Sequence, residues 1–409
     1  MTRMTRQRIL IFSLAYFPKH VGGAEVAIKE ITDRITPEDI EFHLITLRFD
    51  STLPKESREG NVHVYRIGWG APGADVSKTF TLRFALSKAL FVPMAAGKAY
   101  ALHRRLRFDG MWAMMSYMQF PIAIARLLSL RLPYAITIQE GDPFEHVFKR
   151  PHIRLVLPLL RYGFRHAAVI SAISTFLAQW ARSIGFTGPV EVVPNAVNTK
   201  HFSEERPQSL IDEVKDRLGK AMGDVFVITT SRLVHKNAVD DVISALALLP
   251  DNVHFIILGT GPDEAALRKL ASDLGVERRV RFVGQIGHAE MPLYLKACDI
   301  FTRPSRSEGM GNSFVEAMAA GLPVIATQEG GLSDFIFDEK RNPDKPITGW
   351  AVDKDSPQQI ADAVKEIMGR PEKVRAVVRT AKEMVFEKYD WDLIAKDMRE
   401  KVFARVLAK

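Results

Sequence analysis

Strand-length runs of β-branched and aliphatic residues alternate with helix-length segments along this chain, and near its middle the alternation begins again. Residues 9–13, 41–46, 61–67, 135–138, 169–170 and 190–193 read as strands, and 25–34, 80–107, 121–130, 152–165 and 175–184 as the helices between them. A helix placed between two strands carries the chain back to the starting end of the sheet. Repeated alternation therefore specifies a parallel sheet with helices on both faces. From residue 225 the order restarts, with strands at 225–229, 253–258, 280–283, 299–302 and 324–326 and helices at 240–249, 262–274, 289–297, 312–320 and 358–368. The expected fold class is α/β, with two Rossmann-like doubly wound domains, and the acidic and polar stretch 198–220 is the expected linker. A chain of 409 residues has the length for two such cores at roughly 150 residues per domain. Sheets of this kind bind ligands beyond the carboxyl ends of their strands, so two of them facing a central cleft direct attention to the loops there.

Composition removes other classes. Hydrophobic residues make up 47% and charged residues 25%, which excludes a disordered or collagen-like chain. The longest uncharged runs, 110–125 and 166–181, have 16 residues each, short of the ~18 needed to cross a bilayer. The one cysteine, Cys298, rules out a disulfide within the chain and a cysteine-rich metal cluster, and fits a reducing cytoplasm. Arg3, Arg6 and Arg8 ahead of the apolar residues 9–17 imitate a signal peptide. No small-x-small cleavage site follows, however, and the run passes directly into Pro18 and Gly22-Gly23, as a first strand and its loop would.

Charge is unevenly divided. Residues 1–195 hold 25 Lys and Arg against 15 Asp and Glu, more than the whole chain's net +8. An anionic partner is expected for the first half, either a membrane surface or a phosphate-bearing substrate. Nucleic acid is not expected, because no finger, homeodomain, RRM or KH signature presents these cations to a groove or base. Residues 80–107 combine Phe84, Leu90, Phe91 and Met94 with Lys88, Lys98, Arg104, Arg105 and Arg107, which suits an interfacial helix beside a lipid-linked acceptor. A basic helix facing the core is the alternative.

Three loops carry candidate chemistry. Gly22 and Gly23 follow the first strand and open a helix with Glu25, where backbone N–H groups can approach a phosphate. A plain structural turn is the competing reading. Arg232 and Lys236 follow the first strand of the second half, and two cations on one loop can clamp a pyrophosphate and stabilise a leaving group, a solvated loop being the competing reading. The third is the segment from Glu308 through Gly309, Met310, Gly311 and Asn312 to Glu316. Glu316 sits in an otherwise apolar helix, where an unpaired carboxylate would be costly, so it is expected to accept hydrogen bonds from a polyol such as a ribose. The amides of Met310, Gly311 and Asn312 at the helix start suit phosphate or sugar oxygens. Dinucleotide binding loses its main support because Gly259-Thr260-Gly261 lacks a third glycine, position 264 being Glu.

Gly22-Gly23, Val193-Pro194-Asn195, Arg232 with Lys236, Leu258-Gly259-Thr260-Gly261-Pro262, and the Glu308-to-Glu316 segment followed by Gly321-Leu322-Pro323-Val324-Ile325 occur in one order. In that order the chain resembles family-4 (group 1) glycosyltransferases of GT-B fold over nearly its whole length. The Glu-x7-Glu segment is the specific piece and the others support it. The resemblance implies a retaining sugar transfer from a nucleotide donor, held mainly by the second domain, to a glycan, lipid-linked or small-molecule acceptor held mainly by the first. No metal and no separate cofactor are implied. Under it, Arg232 and Lys236 contact the diphosphate, Glu308 the donor sugar and Glu316 the ribose. Gly23 brings its amide to a phosphate, and Asn195 lies at the inter-domain edge of the cleft. Expected boundaries are 1–197, 198–388 and a C-terminal helix at 389–409 that crosses back to the first domain.

One departure stands out: where relatives carry His after the strand 135–138, this chain has Gln139, followed by Glu140, Asp142 and His146 as candidates to supply the missing charge. The DxD triplets Asp353-Lys354-Asp355 and Asp390-Trp391-Asp392 are read as structural loops and helix starts rather than metal sites. A two-domain binding protein without chemistry is the alternative function, disfavoured because a passive binder has no need of Glu308 together with Arg232 and Lys236.

Overall fold

A computed structural model describes residues 6–19, 22–74, 82–141 and 151–408. Contacts divide the chain into two compact units, Met1–Asn195 with Trp391–Lys409, and Ala196–Asp390.

The first unit is built on β1 (Gln7–Phe12), β2 (Ile40–Leu47), β3 (Glu56–Glu59), β4 (Val62–Ile67), β5 (Gly110–Met114), β6 (Tyr134–Ile138), β7 (Val169–Ala172) and β8 (Val190–Val192). They lie in the order β3-β4-β2-β1-β5-β6-β7-β8. β3 runs antiparallel to β4 and the other pairings are parallel. Pattern reading missed β3 and β5 for opposite reasons. β3 is the charged edge Glu-Ser-Arg-Glu with little apolar alternation. β5, Gly-Met-Trp-Ala-Met, is buried at every position, as a central parallel strand must be, and so shows no period of two.

The helix Leu82–Leu106 presents Phe91, Ala95, Ala99 and Leu102 to the core at helical spacing and leaves Leu86 and Tyr100 exposed. No helix among the described residues is long and apolar enough to cross a membrane.

The C-terminal segment completes this unit. Its helical stretches Trp391–Asp397, Met398–Phe403 and Ala404–Leu407 bring the Phe403 ring to 5.1 Å from Trp112 and 5.7 Å from Phe42. A Cβ on Gly110 would lie 2.2 Å from Val406, so β5 must begin with glycine for the segment to seat. Arg399 grips Asp39 through two hydrogen bonds of 2.6 and 2.7 Å.

The second unit has β9 (Val225–Thr230), β10 (Val253–Leu258), β11 (Val280–Gly284), β12 (Ile300–Arg303), β13 (Val324–Ala326) and β14 (Trp350–Ala351). All pairings are parallel, in the order β11-β10-β9-β12-β13-β14. Counted from β9 this is the 3-2-1-4-5-6 doubly wound order, whose direction reverses between β9 and β12. The expected linker is corrected here. Residues 198–220 contain the helices Thr199–Ser203 and Gln208–Leu218, and the second buries Ile211, Val214 and Leu218. Its polar composition describes an exposed face, not a tether.

A polar cluster lies on one face of the first sheet where β2 meets β4. His43 is buried and stacks on His63 at 4.8 Å, with its Nδ1 3.2 Å from the Tyr65 hydroxyl. Glu41 lies 3.5 Å from His43 and 3.4 Å from His63, and accepts from Arg8 at 3.0 Å. Burial, reinforced by the His63 ring, pushes His43 down from 6.5 to about 4 against the pull of Glu41. Its neutral form thus supports folding above the ordinary histidine range, and that support is lost as pH falls from about 6.5 towards 4. We expect the urea midpoint of wild type to fall relative to that of His43→Gln as pH drops from 7 to 5. A constant difference between the two proteins over that interval would contradict this account.

Candidate functional site

The chain reversal between β9 and β12 opens the carboxyl edge of the second sheet, and the residues there are organised by a guanidinium that the sequence reading did not single out. Arg303 ends β12 and is 7% exposed. Its Nη2 donates to Glu308 Oε2 at 2.6 Å, its Nη1 to the Thr230 carbonyl at the end of β9 at 3.3 Å, and its Nε to Ser305 Oγ at 3.2 Å. The Phe314 ring lies under it at 4.5 Å. Burial lowers its pKa from the ordinary arginine value, while Glu308 and Glu316 pull the other way. A buried cation must be paired and hydrogen-bonded to be tolerated, and this one is satisfied only if the loop after β12 turns back to deliver Glu308.

The loop geometry follows. Glu308 Oε1 accepts from the Gly309 amide at 3.2 Å. Gly311 has φ +87°, and a Cβ there would lie 2.6 Å from Phe314 and 3.0 Å from Arg303 Nη2, so a side chain is excluded by both conformation and space. The helix Asn312–Ala320 starts from Gly311 with no side-chain cap, and of its first-turn amides that of Phe314 turns back to the Gly311 carbonyl at 3.2 Å. Met310 is buried. One turn into the helix, Glu316 is half-buried, and its Oε1 lies 3.5 Å from His288 Nε2. Both expected carboxylates therefore act electrostatically on Arg303.

Across the reversal, Arg232 is exposed after β9 and makes no side-chain hydrogen bond or ion pair among the described residues, while its carbonyl accepts from Asn237 Nδ2 at 2.6 Å. Lys236 lies in the 3₁₀ turn His235–Asn237, and its carbonyl accepts from the Arg306 amide at 2.7 Å. Arg306 is a second residue that sequence reasoning passed over. It donates to both oxygens of Asp240 at 2.9 Å, to Asp241 at 3.0 Å, to Asp355 at 2.6 Å and to the His235 carbonyl at 2.7 Å. It pins the Lys236 turn to the loop that carries Glu308. Burial, with help from Asp240 and Asp355, raises Asp241 to about 6 in spite of Arg306.

Gly259 and Gly261 allow the next loop to close on this one. A Cβ on Gly259 would lie 1.9 Å from the Ser231 carbonyl, and one on Gly261 2.1 Å from that of Leu233. The structure thus gives Gly261 a packing role against the loop that holds Arg232.

In the first unit, Gly22 and Gly23 follow β1 and are exposed. The Gly22 amide donates to Glu25 Oε2 at 2.9 Å, and a Cβ on Gly23 would meet nothing within 4 Å. Gln139 and Asn195 form a reciprocal amide pair, with Gln139 Nε2 to Asn195 Oδ1 at 3.1 Å and Asn195 Nδ2 to Gln139 Oε1 at 3.3 Å. Glu140 accepts from the Ser116 amide at 2.6 Å and from the Gln139 amide at 3.0 Å, and burial raises its pKa against those bonds. It joins the loops after β5 and β6. Asp142 and His146 lie outside the described residues. The DxD triplets are structurally engaged: Asp353 meets Arg341 at 2.9 Å, Asp355 meets Arg306, Asp390 accepts from Thr199, and Asp392 accepts from Arg34 at 2.6 Å.

The profile of the glycosyl transferases group 1 matches residues 210–384, and that of Glycosyltransferase Family 4 matches residues 21–201. The chain belongs to the family-4 (group 1) glycosyltransferases. The chain is similar to the GDP-mannose-dependent alpha-(1-6)-phosphatidylinositol monomannoside mannosyltransferase of Mycobacterium tuberculosis, at 30% identity over 260 residues. That match spans 60% of this chain and 65% of the mycobacterial protein. Among solved structures, it resembles sucrose-phosphate synthase from Thermosynechococcus elongatus (TM-score 0.80, 19% identity, 98% of this chain and 100% of that one). It also resembles Anabaena HepE in complex with UDP-glucose (TM-score 0.76, 21% identity, 97% and 99%). The fold of the chain is GT-B.

Removing Arg303 tests the organisation described above. Arg303→Met should destabilise the second unit by about 3–5 kcal/mol, because Glu308 is left buried without its partner. Arg303→Met combined with Glu308→Leu should recover much of that loss. Equal denaturation midpoints for wild type and Arg303→Met would show that the pair does not hold the loop.

Proposed function

We propose that the chain is a retaining glycosyltransferase that moves a sugar from a nucleotide-diphosphate donor to an acceptor in cell-surface glycan or glycolipid synthesis. The observation that carries this reading is the arrangement around the β9–β12 reversal: an exposed Arg232 and a pinned Lys236 on one loop, and the Arg303-held Glu308 with Glu316 on the other. Arg232 and Lys236 would neutralise the diphosphate as it leaves, with the first-turn amides of Asn312–Ala320 adding partial positive charge. Metal is then not required for this task. Glu308, oriented by Arg303, would accept from a donor-sugar hydroxyl, and Glu316 from the ribose. Retention of configuration is carried over from the family resemblance.

Incubation with GDP-mannose and UDP-glucose in turn, followed by NMR of the product's anomeric proton, tests the reading. A product of inverted configuration would overturn retention, and no sugar transfer from any nucleotide donor would overturn the function. Arg232→Ala or Lys236→Ala should lower kcat by roughly 10²- to 10³-fold with the fold intact. Glu316→Gln should chiefly raise KM for the donor, since a ribose contact is nearly equal in ground and transition states, whereas Glu308→Ala should chiefly lower kcat. Identical kinetic defects in the two variants would count against the division.

The acceptor is proposed to be lipid-linked and the protein peripheral at the cytoplasmic face of an anionic membrane. Support comes from the basic first half, from the exposed Leu86, Lys88, Tyr100, Arg104, Arg105 and Arg107 on or beside the helix Leu82–Leu106, and from the phosphatidylinositol-linked acceptor named for the mycobacterial relative. Each basic side chain near such a surface contributes about 1 kcal/mol. Replacing Arg104, Arg105 and Arg107 by Glu should therefore abolish co-sedimentation with anionic vesicles at low salt. Retention of vesicle binding by that variant would remove this helix from the reading.

A further inference from the structure

A pocket opens in the first unit, at the carboxyl ends of β2 and β4. Its volume is about 470 Å³, within the range of small-molecule sites. Arg48, Lys55, Arg66 and Lys98 line it against a single lining carboxylate, Glu56, and Trp69 stands at its wall, 47% exposed. None of these residues belongs to the loops that carry Arg232, Lys236 and Glu308, and of them the sequence pointed only to Lys98, as part of the basic helix.

Four cations here meet two carboxylates, Glu59 beside Arg66 and Glu56 beside Lys98, so an excess of positive charge remains. Arg48 donates to the carbonyls of Ser51 at 2.7 Å and Leu53 at 2.8 and 3.2 Å, so its guanidinium is oriented without meeting a carboxylate among the described residues. Arg66, 5% exposed, donates to Ser57 Oγ at 2.7 Å and to the Phe17 carbonyl at 2.8 Å, with Glu59 more distant at 3.4 Å. Lys98 shares Glu56 at 3.2 Å and lies 4.9 Å over the Tyr65 ring. Lys55 is exposed, and its side chain has no partner among the described residues. The wall bearing Trp69 is fixed as well. Its amide donates to Ser87 Oγ at 2.9 Å, and Gly70 lies so close to the Arg48 and Phe49 carbonyls that a Cβ would come within 2.6 and 2.5 Å of them. Glycine at position 70 is therefore a condition for the loop to lie across the pocket.

Preoriented cations beside an exposed indole describe a site for an anion attached to a ring that can stack or pack on an aromatic face. We infer that this pocket binds the phosphate of a phosphorylated sugar or polyol, with Trp69 against the ring. β4 is two strands, roughly 10 Å, from β1 in the sheet, so the pocket opens at the same carboxyl edge from which β1 leads into the Gly22–Gly23 loop. Identifying this ligand as the acceptor rests on the proposed transferase function; binding of the phosphate does not.

The test uses the full chain. Calorimetric titration with inorganic phosphate, glycerol 3-phosphate and glucose 6-phosphate probes a soluble source, and co-sedimentation with phosphatidylglycerol in phosphatidylcholine vesicles probes a lipid headgroup. Wild type should bind at least one arm saturably, and Lys55→Gln/Lys98→Gln should weaken that binding by about tenfold or more, as loss of charged hydrogen bonds does. Lys55→Gln alone should show part of the effect, and it removes no contact that the fold uses. Trp69→Ala should weaken glucose 6-phosphate more than inorganic phosphate. Binding confined to vesicles assigns a lipid headgroup, and binding confined to the soluble ligands assigns a free phosphate ester. Absence of saturable binding in both arms, or binding indifferent to Lys55 and Lys98, overturns the site. Equal weakening of the two soluble ligands by Trp69→Ala overturns the role given to the ring. Nucleotide-sugar binding and turnover are measured in parallel. If they persist while phosphate is ignored, the pocket assignment fails alone, and if they are absent while phosphate binds, the transferase reading fails alone.

Discussion

A guanidinium taken out of water at the end of β12 sets the terms for the carboxyl edge of the second unit's sheet. Arg303 cannot be left unsatisfied in that position, and its partners come from three places: the end of β9, the turn at Ser305 and the loop carboxylate Glu308. Each bond constrains a different element, so the reversal point of the sheet, the path of the loop and the start of the helix Asn312–Ala320 are determined together. Arg306 repeats the device three residues later, gathering Asp240, Asp241 and Asp355 around the Lys236 turn. The two arginines have different tasks: one orients the carboxylate of Glu308, and the other holds steady the turn that carries Lys236.

The architecture was legible because alternation of strand and helix is a long-range pattern that survives errors in single elements. Failures came where a strand lacks a face. β5 is apolar throughout and β3 is charged, so neither shows the alternation on which strand reading depends. The helix Gln208–Leu218 escaped for a related reason: only Ile211, Val214 and Leu218 face inward, and the charges between them give the appearance of a tether.

At the site, sequence order showed the carboxylates Glu308 and Glu316 and the cations Arg232 and Lys236, because each stands in a loop or apolar helix where its charge is conspicuous. The residues that orient them were not legible. Arg303 closes a four-residue buried strand, and nothing in its neighbours along the chain announces Glu308 as its partner. Asn195 and Gln139 lie 56 positions apart, and only the register of the first sheet brings their amides together. The glycines Gly259 and Gly261 were legible as glycines but not as packing glycines, since the backbone they approach belongs to another loop.

The first unit is interrupted in sequence. Its residues up to Asn195 are followed by the whole of Ala196–Asp390 before Trp391 and the segment that seats Phe403 against Trp112 and Phe42. During synthesis, therefore, the part made first reaches its final packing last. A nascent chain that has completed residues 1–195 still presents the apolar seat of Phe403 and Val406 to water, while the second unit, contiguous in sequence, can close as soon as it has emerged. For a ribosome adding about 5–20 residues per second, the remaining ~200 residues leave that seat uncovered for roughly ten to forty seconds. This interval is a window for chaperone engagement or misassembly, and its length is set by the position of one short segment in the chain.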